Sequence, residues 1–304
     1  MVYLCFNTRV NVNYIDSLLI FQMQSSEMAL SSAPSETNNV RTIVARRYYV
    51  KHSIVPFEED ATHEFKGHAN ICIEDIPNYC VNAGASSKRS RQPISKTLNG
   101  FINTGEGGTV YCGILDSGSV KGIKLIQYKK DHYVASVDDC MGRFNPPVDK
   151  SRYEVRFIPV VEPNSSQAEI SAICSYDSRK GVSLESRRRE HLLRSQNYCW
   201  CDKESIALFN NNVIAPSYII EICIKPWAEC ASMKNSSSLV NILSPYHEDE
   251  EGLCYFRRQA SVVQYSLCEM IQFTRQDVQD YFKEKIKKLE EQLKMIIVSG
   301  NKIL

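Results

Sequence analysis

The chain has 304 residues and a formal net charge of +1 at neutral pH, so it carries no overall basic field that would attract nucleic acid. Hydrophobic residues at 43% and charged residues at 23% are ordinary for one large or two small folded domains, and they exclude a fully disordered chain. Polar and charged side chains interrupt residues 1–20 too often for a signal peptide or a membrane span. The composition therefore predicts a protein of the cytoplasm or nucleus without a membrane anchor.

The twelve cysteines form no CxxC pair and no regular framework, which predicts reduced thiols rather than disulfides. Cys199 and Cys201 alternate around Trp200 as the side chains of a buried strand would, and this favours a structural role over metal ligation. The thiols therefore predict neither a disulfide scaffold nor a metal module.

The first segment with a clear pattern follows a polar N-terminal stretch. Residues 1–40 end in sequence rich in Ser, Glu and Asn, which predicts a flexible leader. Residues 42–51 have the β-branched and aromatic composition of a strand, whereas residues 63–70 are short and mixed. A surface loop is predicted at residues 84–92, which are rich in Ser, Lys and Arg.

A helix, a glycine turn and a strand are predicted next. Pro93 is suited to the first turn of the helix, because its missing N–H is not needed there. The helix stops before Gly107-Gly108, and residues 109–115 have strand composition. A turn and a returning strand at residues 120–125 would complete a hairpin.

Further strands are predicted at residues 153–161, 218–225 and 253–257. They come from distant parts of the chain and are separated by polar and helix-like sequence. We therefore predict an α+β domain with a mixed sheet over residues 41–270.

The clearest helical pattern lies at residues 274–297, within a C-terminal segment of residues 271–304. Side chains on two heptad positions recur every seven residues, which predicts a short coiled-coil seam. These positions hold Gln279, Ile286 and Leu293, and Phe282, Leu289 and Ile296. The helix either binds a partner copy or docks on its own domain, and the sequence leaves both open.

Acidic side chains gather before Lys66 and again after the glycine turn: Glu58, Glu59, Asp60, Glu64 and Asp116. Carboxylates from two strand ends suit Mg²⁺ or Mn²⁺, and a phosphodiester-cleaving site needs such an ion to activate water. A neighbouring lysine would offset charge in the transition state. Solvent-exposed acidic turns are equally consistent with this spacing. The glycine segment lacks the ending of a P-loop and follows a helix, which disfavours a nucleotide-binding loop.

One ordered series of motifs resembles the Schlafen AlbA-type domain: His63-Glu64-Phe65-Lys66, a helix ending in Phe101-Ile102-Asn103-Thr104, Gly107-Gly108 with its strand to Asp116, and Val120-Lys121-Gly122. The resemblance covers residues 40–125 well and continues loosely through residues 153–157, 222–227 and 255–258. The chain is most similar to the short Schlafen-like proteins, which lack the helicase portion of the longest members. The resemblance implies a single α+β lobe with a mixed sheet and packed helices.

Several Schlafen proteins are metal-dependent endoribonucleases that cleave structured RNA such as transfer RNA. The resemblance implies that Glu59, Glu64 and Asp116 hold Mg²⁺ or Mn²⁺ and that Lys66 steadies the phosphate. Glu58 or Asp60 would replace Glu59 if the register were shifted by one residue. The alternative is a non-catalytic module that binds RNA, DNA or a nucleotide, or a scaffold that acts through its terminal helix.

The chain departs from the family in two respects. Where the vertebrate proteins carry a histidine-x-cysteine and a cysteine pair for zinc, this sequence has Arg156-Phe157-Ile158 and Ala228-Glu229, so no zinc is expected there. The longer Schlafens also join two lobes around an RNA groove, whereas this chain has one recognisable lobe. A homo- or hetero-oligomer with another Schlafen-like lobe is therefore expected, as in nematode assemblies that trim small-RNA precursors.

The expected RNA, a transfer RNA or a small-RNA precursor, requires local basic patches because the net charge is near zero. We predict that the RNA path is lined by Lys88, Arg89, Arg91, Arg257 and Arg258. His63, beside Glu64, is more often a structural residue in such a position than a general acid or base.

Overall fold

The chain folds into an α+β domain followed by a long C-terminal helix, which confirms the predicted fold class. The computed structural model describes residues 47–81, 92–180, 182–211, 215–227 and 246–300. The predicted leader and the basic loop residues Lys88, Arg89 and Arg91 lie outside the described residues.

The described residues contain eight strands: β1 (Tyr49–Val50), β2 (His63–Lys66), β3 (Gly108–Cys112), β4 (Ile123–Lys124), β5 (Tyr153–Val161), β6 (Ser217–Ile224), β7 (Tyr255–Arg258) and β8 (Ser261–Gln264). The α-helices of the described residues are α1 (Asn78–Val81), α2 (Ile94–Thr104), α3 (Gln127–Arg143), α4 (Gln167–Ser175), α5 (Leu184–Arg187), α6 (Trp200–Asn210) and α7 (Leu267–Gly300). Short 3₁₀ turns occupy Ile73–Asp75 and Lys150–Arg152.

The main sheet is mixed, with the strand order β1-β5-β6-β3-β2 and with β4 paired to β6. The pairs β1–β5 and β2–β3 are parallel, whereas β6 is antiparallel to β3, β4 and β5. The hairpin β7–β8 forms a separate two-stranded sheet. Strand β2 is therefore at an edge of the main sheet, where one side of its backbone is open to the preceding loop.

Two apolar clusters cover the two faces of the sheet, because successive side chains of a strand point to opposite faces. The larger cluster packs α2 and α3 on the alternate side chains Val110, Cys112, Ile220 and Ile222. The smaller one contains Val55, Phe65, Tyr111 and Ile219, with loop residues from both sides of β2. Phe65 of the edge strand packs in the smaller cluster.

Helix α2 begins and ends where the sequence predicts. Pro93 is its N-cap, and Gly105 is its C-cap in the left-handed conformation at φ 81°. Its buried face includes Ile94, Leu98 and Phe101. The predicted strands at residues 153–161 and 218–225 are also confirmed as β5 and β6.

Two local predictions are wrong. The chain does turn back at a bridge between Ile114 and Val120, but the returning strand β4 pairs with β6 instead of continuing a hairpin with β3. Cys199 and Cys201 are not in a strand: Cys199 caps helix α6 and Cys201 lies in its first turn. Both thiols are buried. Their alternation around Trp200 resembles that of a buried strand, although the segment is helical.

The predicted C-terminal helix is confirmed and is longer than expected, since α7 has 34 residues. Its exposed side chains include Phe282, Ile286, Leu289, Leu293 and Ile296. Among the described residues, no helix is both long and apolar enough to cross a lipid bilayer.

Candidate functional site

The candidate site lies at the edge strand β2, whose alternation separates two kinds of side chain. His63 and Phe65 join an aromatic cluster in which Phe57 lies 4.8 Å from the His63 ring and 5.2 Å from the Tyr111 ring, between centroids. Glu64 and Lys66 alternate with them and so point to the opposite face. Strand β2 therefore presents a charged pair on one side while aromatic packing fixes its other side.

Glu64 is buried and is held by two cations. Lys66 donates to its Oε1, and Arg257 Nη1 lies 2.6 Å from its Oε2. The second contact is a charge pair whose angles are poor for a hydrogen bond. Because the side chain of Glu64 is only 8% exposed, both cations offset the cost of burying its charge.

Arg257 is a structural anchor of this site. Its Nε donates to the carbonyl of Asp60 at 2.9 Å, and its Nη2 donates to the carbonyl of His63 at 3.0 Å. Its own backbone N–H donates to Thr104 Oγ1 at 2.8 Å, which ties β7 to the end of α2. One arginine thus joins the loop before β2, the strand itself and helix α2.

The prediction that Arg257 lines an RNA path is therefore corrected. Its side chain is 1% exposed and its guanidinium is directed at Glu64 and two carbonyls, so it has no surface left for a phosphate. Arg258, the next residue, is exposed, so its assignment to the RNA path stays a prediction. The sequence could not separate the two, because adjacent residues of a strand face opposite sides.

Glu59 comes to the site from the loop before β2. Its Oε1 accepts the backbone N–H of Phe65 at 2.9 Å, on the open side of the edge strand. Burial raises the pKa of the Glu59 carboxyl, and the charges of Glu64 and Asp116 raise it further, against the opposing effects of the Phe65 N–H and Lys66. The charges of Glu64, Lys66 and Asp116 therefore all act on the Glu59 carboxyl, although the residues come from separate segments.

Asp116 follows β3 and is exposed in the turn before Gly118. Together with Glu58 and Glu59 it lines a cleft of about 490 Å³ that Ala260, from the β7–β8 connection, also borders. The turn after β3 folds back on the segment before β2, since Ile54 forms a bridge with Ser119 and the Val55 N–H donates to the Gly118 carbonyl at 3.1 Å. The cleft presents carboxylates to solvent, and the buried Glu64 is not among its lining residues.

The alternative acids have other roles. Asp60 Oδ1 accepts the backbone N–H groups of Thr62 and His63 at 2.7 and 2.8 Å and so closes the turn before β2. It also lies 2.9 Å from the Nδ1 of His63, which places that ring in a structural contact. Glu58 is exposed at the cleft. Glu59 is thus the acid of this loop that is coupled to the other two carboxylates.

The donor set fits a hard divalent cation in its chemistry, since oxygen ligands suit Mg²⁺ and Mn²⁺ and a cation would offset the repulsion of Glu59 by Glu64 and Asp116. Within the described part of the chain, however, the groups whose ligand atoms already lie within 4.8 Å of one another do not include these three acids. Both oxygens of Glu64 also have cationic partners. Metal binding would therefore require side-chain movement, with Glu59 and Asp116 as the accessible ligands.

The glycine turn before β3 has a packing role. Gly107 has φ 75°, and a Cβ there would lie 2.5 Å from the carbonyl oxygen of Ile224. At Gly108 a Cβ would lie 2.6 Å from the ring of Phe101. Close packing between α2 and β6 therefore requires glycine at both positions. A phosphate-binding role is not needed to explain them.

Sequence reasoning missed a second group of side chains, His132, His191, Cys199 and Cys201, whose ligand atoms lie within 4.8 Å of one another. His191 precedes Cys199 by eight residues, but His132 lies 69 positions from Cys201, and the cysteine spacing matches no standard zinc motif.

A comparison of the sequence with models of known protein families finds no match.

Proposed function

We propose that this chain is a metal-dependent endoribonuclease, or the catalytic subunit of one, of the Schlafen type. The observation that supports this most directly is the shared electrostatic field of Glu59, Glu64 and Asp116 beside Lys66. These are the acids that the resemblance assigns to catalysis, and they come from the loop before β2, from β2 itself and from the turn after β3. An accessible acidic cleft beside a buried carboxylate suits binding of Mg²⁺ or Mn²⁺.

In this mechanism Glu59 and Asp116 would hold the cation at the cleft, and Glu64 would complete the ligand set from behind. The ion would supply a polarised phosphate and an activated water. Lys66 is half-buried and directed at Glu64, so it is positioned to balance charge when a phosphate enters. The role of Arg257 is to hold β2 and its preceding loop in place.

RNA is the proposed substrate, as a transfer RNA or a small-RNA precursor in the cytoplasm or nucleus. Arg258 is the described basic residue that supports this, since it is exposed on the strand that carries Arg257. The loop bearing Lys88, Arg89 and Arg91 is proposed to contribute the remaining phosphate contacts. Such contacts supply affinity without sequence preference and weaken with salt.

A second lobe is proposed to come from another subunit through α7. Its heptad positions carry the exposed apolar side chains Phe282, Ile286, Leu289, Leu293 and Ile296. A helix with such a stripe buries it by pairing with another helix. The partner is either a second copy of the chain or a related Schlafen-like subunit.

The test is incubation of the purified full chain with labelled transfer RNA and with small-RNA precursors, in Mn²⁺ or in chelator. Asp116→Asn and Glu59→Gln should abolish cleavage, because both acids line the cleft. Glu58→Gln is the matched control, since Glu58 lines the same cleft and is not among the groups that perturb Glu59. Cleavage that survives chelator or persists in both variants would contradict the mechanism.

A non-catalytic RNA- or DNA-binding module is the second candidate, and the double pairing of Glu64 favours it. A carboxylate with a cation on each oxygen is a stable structural element without any metal. This function would give binding that is unaffected by chelator and by Asp116→Asn but weakened by salt. The same preparations therefore separate the two functions when binding is measured beside cleavage.

A further inference from the structure

The second ligand group is built from three parts of the fold other than the carboxylate site. His132 lies on α3, His191 lies in the segment between α5 and α6, and Cys199 and Cys201 stand at the start of α6. Helix α3 packs against α6, which brings residues 69 positions apart into contact. The cluster thus sits where an irregular segment meets two helices.

The four ligand atoms lie within 4.8 Å of one another, and two of their separations are close to those of tetrahedral coordination. His132 Nδ1 lies 3.4 Å from Cys201 Sγ, and His191 Nδ1 lies 3.6 Å from Cys199 Sγ. A tetrahedral zinc ion with ordinary Zn–S and Zn–N bonds requires ligand separations of about 3.6 Å. We propose that His132, His191, Cys199 and Cys201 bind a zinc ion in a closed, structural site.

The surroundings of the cluster are those of a ligand shell. The backbone N–H of Leu192 donates to Cys199 Sγ at 3.3 Å, a contact that stabilises a thiolate. The His191 ring stacks on Trp200 at 5.1 Å between centroids, and Trp200 Nε1 donates to the carbonyl of Glu190 at 2.9 Å. These contacts fix the His191 ring, and the N-terminus of α6 favours negative charge on both thiols.

The burial of the cluster also points to a bound ligand. Cys199 and Cys201 are buried, and His191 Nε2 is a buried ring nitrogen without a hydrogen-bond partner beside them. A buried polar atom left without a partner is costly, and a metal ion at the cluster would give the ring a partner.

The ligand types select the metal. Two thiolates and two imidazoles suit Zn²⁺, and they discriminate against Mg²⁺ and Mn²⁺, which prefer oxygen. With four protein ligands the coordination sphere has no open position for water, so the role is structural rather than catalytic. The ion would pin the segment around His191 and the start of α6 to α3. This zinc site is independent of the proposed nuclease activity.

The experiment measures zinc by mass spectrometry in the full chain, purified without a metal column. We expect about one zinc per chain in the wild type and less than about a tenth of that in the double variant Cys199→Ser/Cys201→Ser. Cys268→Ser, on the exposed start of α7, is the matched control and should keep its zinc, as should Asp116→Asn. Retention of zinc by the double variant would overturn the site.

A second measurement decides the matter if the double variant fails to fold. Zinc in the wild-type chain is replaced by Co²⁺, and the visible spectrum is recorded. Intense d–d bands with a thiolate charge-transfer band are expected for tetrahedral S₂N₂ ligands. A weak octahedral spectrum, the absence of bound metal, or a Cys199–Cys201 disulfide found by mass mapping of the wild type would each overturn the proposal.

Discussion

Removing Arg257 should destabilise the chain far more than removing its neighbour. The guanidinium is 1% exposed and pairs with Glu64 at 2.6 Å while donating to two carbonyls. In Arg257→Ala the carboxylate of Glu64 stays buried with Lys66 as its remaining cationic partner, and both carbonyls lose a donor. Breaking a buried pair in this way costs about 3–5 kcal/mol. We expect a loss of about 3 kcal/mol or more in the free energy of unfolding.

Urea unfolding followed by circular dichroism measures this loss. Arg258→Ala is the control, because the exposed neighbour should change stability by less than about 0.5 kcal/mol. The double variant Arg257→Ala/Glu64→Leu should recover part of the loss, since it also removes the buried carboxylate, although the half-buried Lys66 then loses its acidic partner. A cost below about 1 kcal/mol for Arg257→Ala, or simple additivity with Glu64→Leu, would refute this account of the ion pair.

Three further predictions concern the cleft, the terminal helix and the glycine turn. The raised pKa of Glu59, caused mainly by burial, means that its carboxyl favours folding below its unfolded pKa and loses this contribution as the pH rises through its folded pKa. Glu59→Gln should therefore gain thermal stability relative to wild type at neutral pH but not at acidic pH; a pH-independent difference would contradict this. Leu289→Glu should abolish self-association in sedimentation equilibrium, whereas Lys285→Glu should not; equal effects would argue against the heptad seam. Gly107→Ala should lower stability by about 1–3 kcal/mol, because its Cβ would meet the Ile224 carbonyl. Gly142→Ala, in a helix with open space around the position, should raise stability by about 0.5–1 kcal/mol. Unfolding midpoints that change in the same direction for both variants would contradict the packing argument.

Much of the sheet was predictable because its strands are long or strongly patterned. Strand β5 and strand β6 are confirmed, and the helix between Pro93 and Gly105 carries its own start and stop signals. The fold class and the terminal helix followed from the same patterns. Local chemistry was enough for these elements because each is specified within its own segment.

The edge strand β2 was not predictable from its own residues. His63 and Phe65 alternate with the charged pair Glu64 and Lys66, which is a strand pattern, but four residues are too few to distinguish it from a loop. What makes the segment a strand is its parallel pairing with β3 and the anchor from Arg257. Both contacts come from distant sequence.

The partners of the site residues show the same limit. Arg257 lies 194 positions from His63, and sequence spacing carries no information on such a contact. Its charge predicted a solvent-exposed phosphate ligand, whereas burial of Glu64 made it an internal counter-ion. The cysteines at α6 were assigned to a strand because Cys199 and Cys201 alternate around Trp200, and the contact of Cys201 with His132, 69 positions away, is visible only in three dimensions.

The most direct test of the central claim is the single-turnover rate of transfer RNA cleavage in Mn²⁺, for wild type, Asp116→Asn and Glu58→Gln. Asp116 and Glu58 line the same cleft, so the two substitutions are matched in position. We expect Asp116→Asn to lower the rate by on the order of 10²-fold or more, with Glu58→Gln close to wild type and RNA affinity unchanged in both. Equal rates for wild type and Asp116→Asn would contradict the claim that these carboxylates form a nuclease centre.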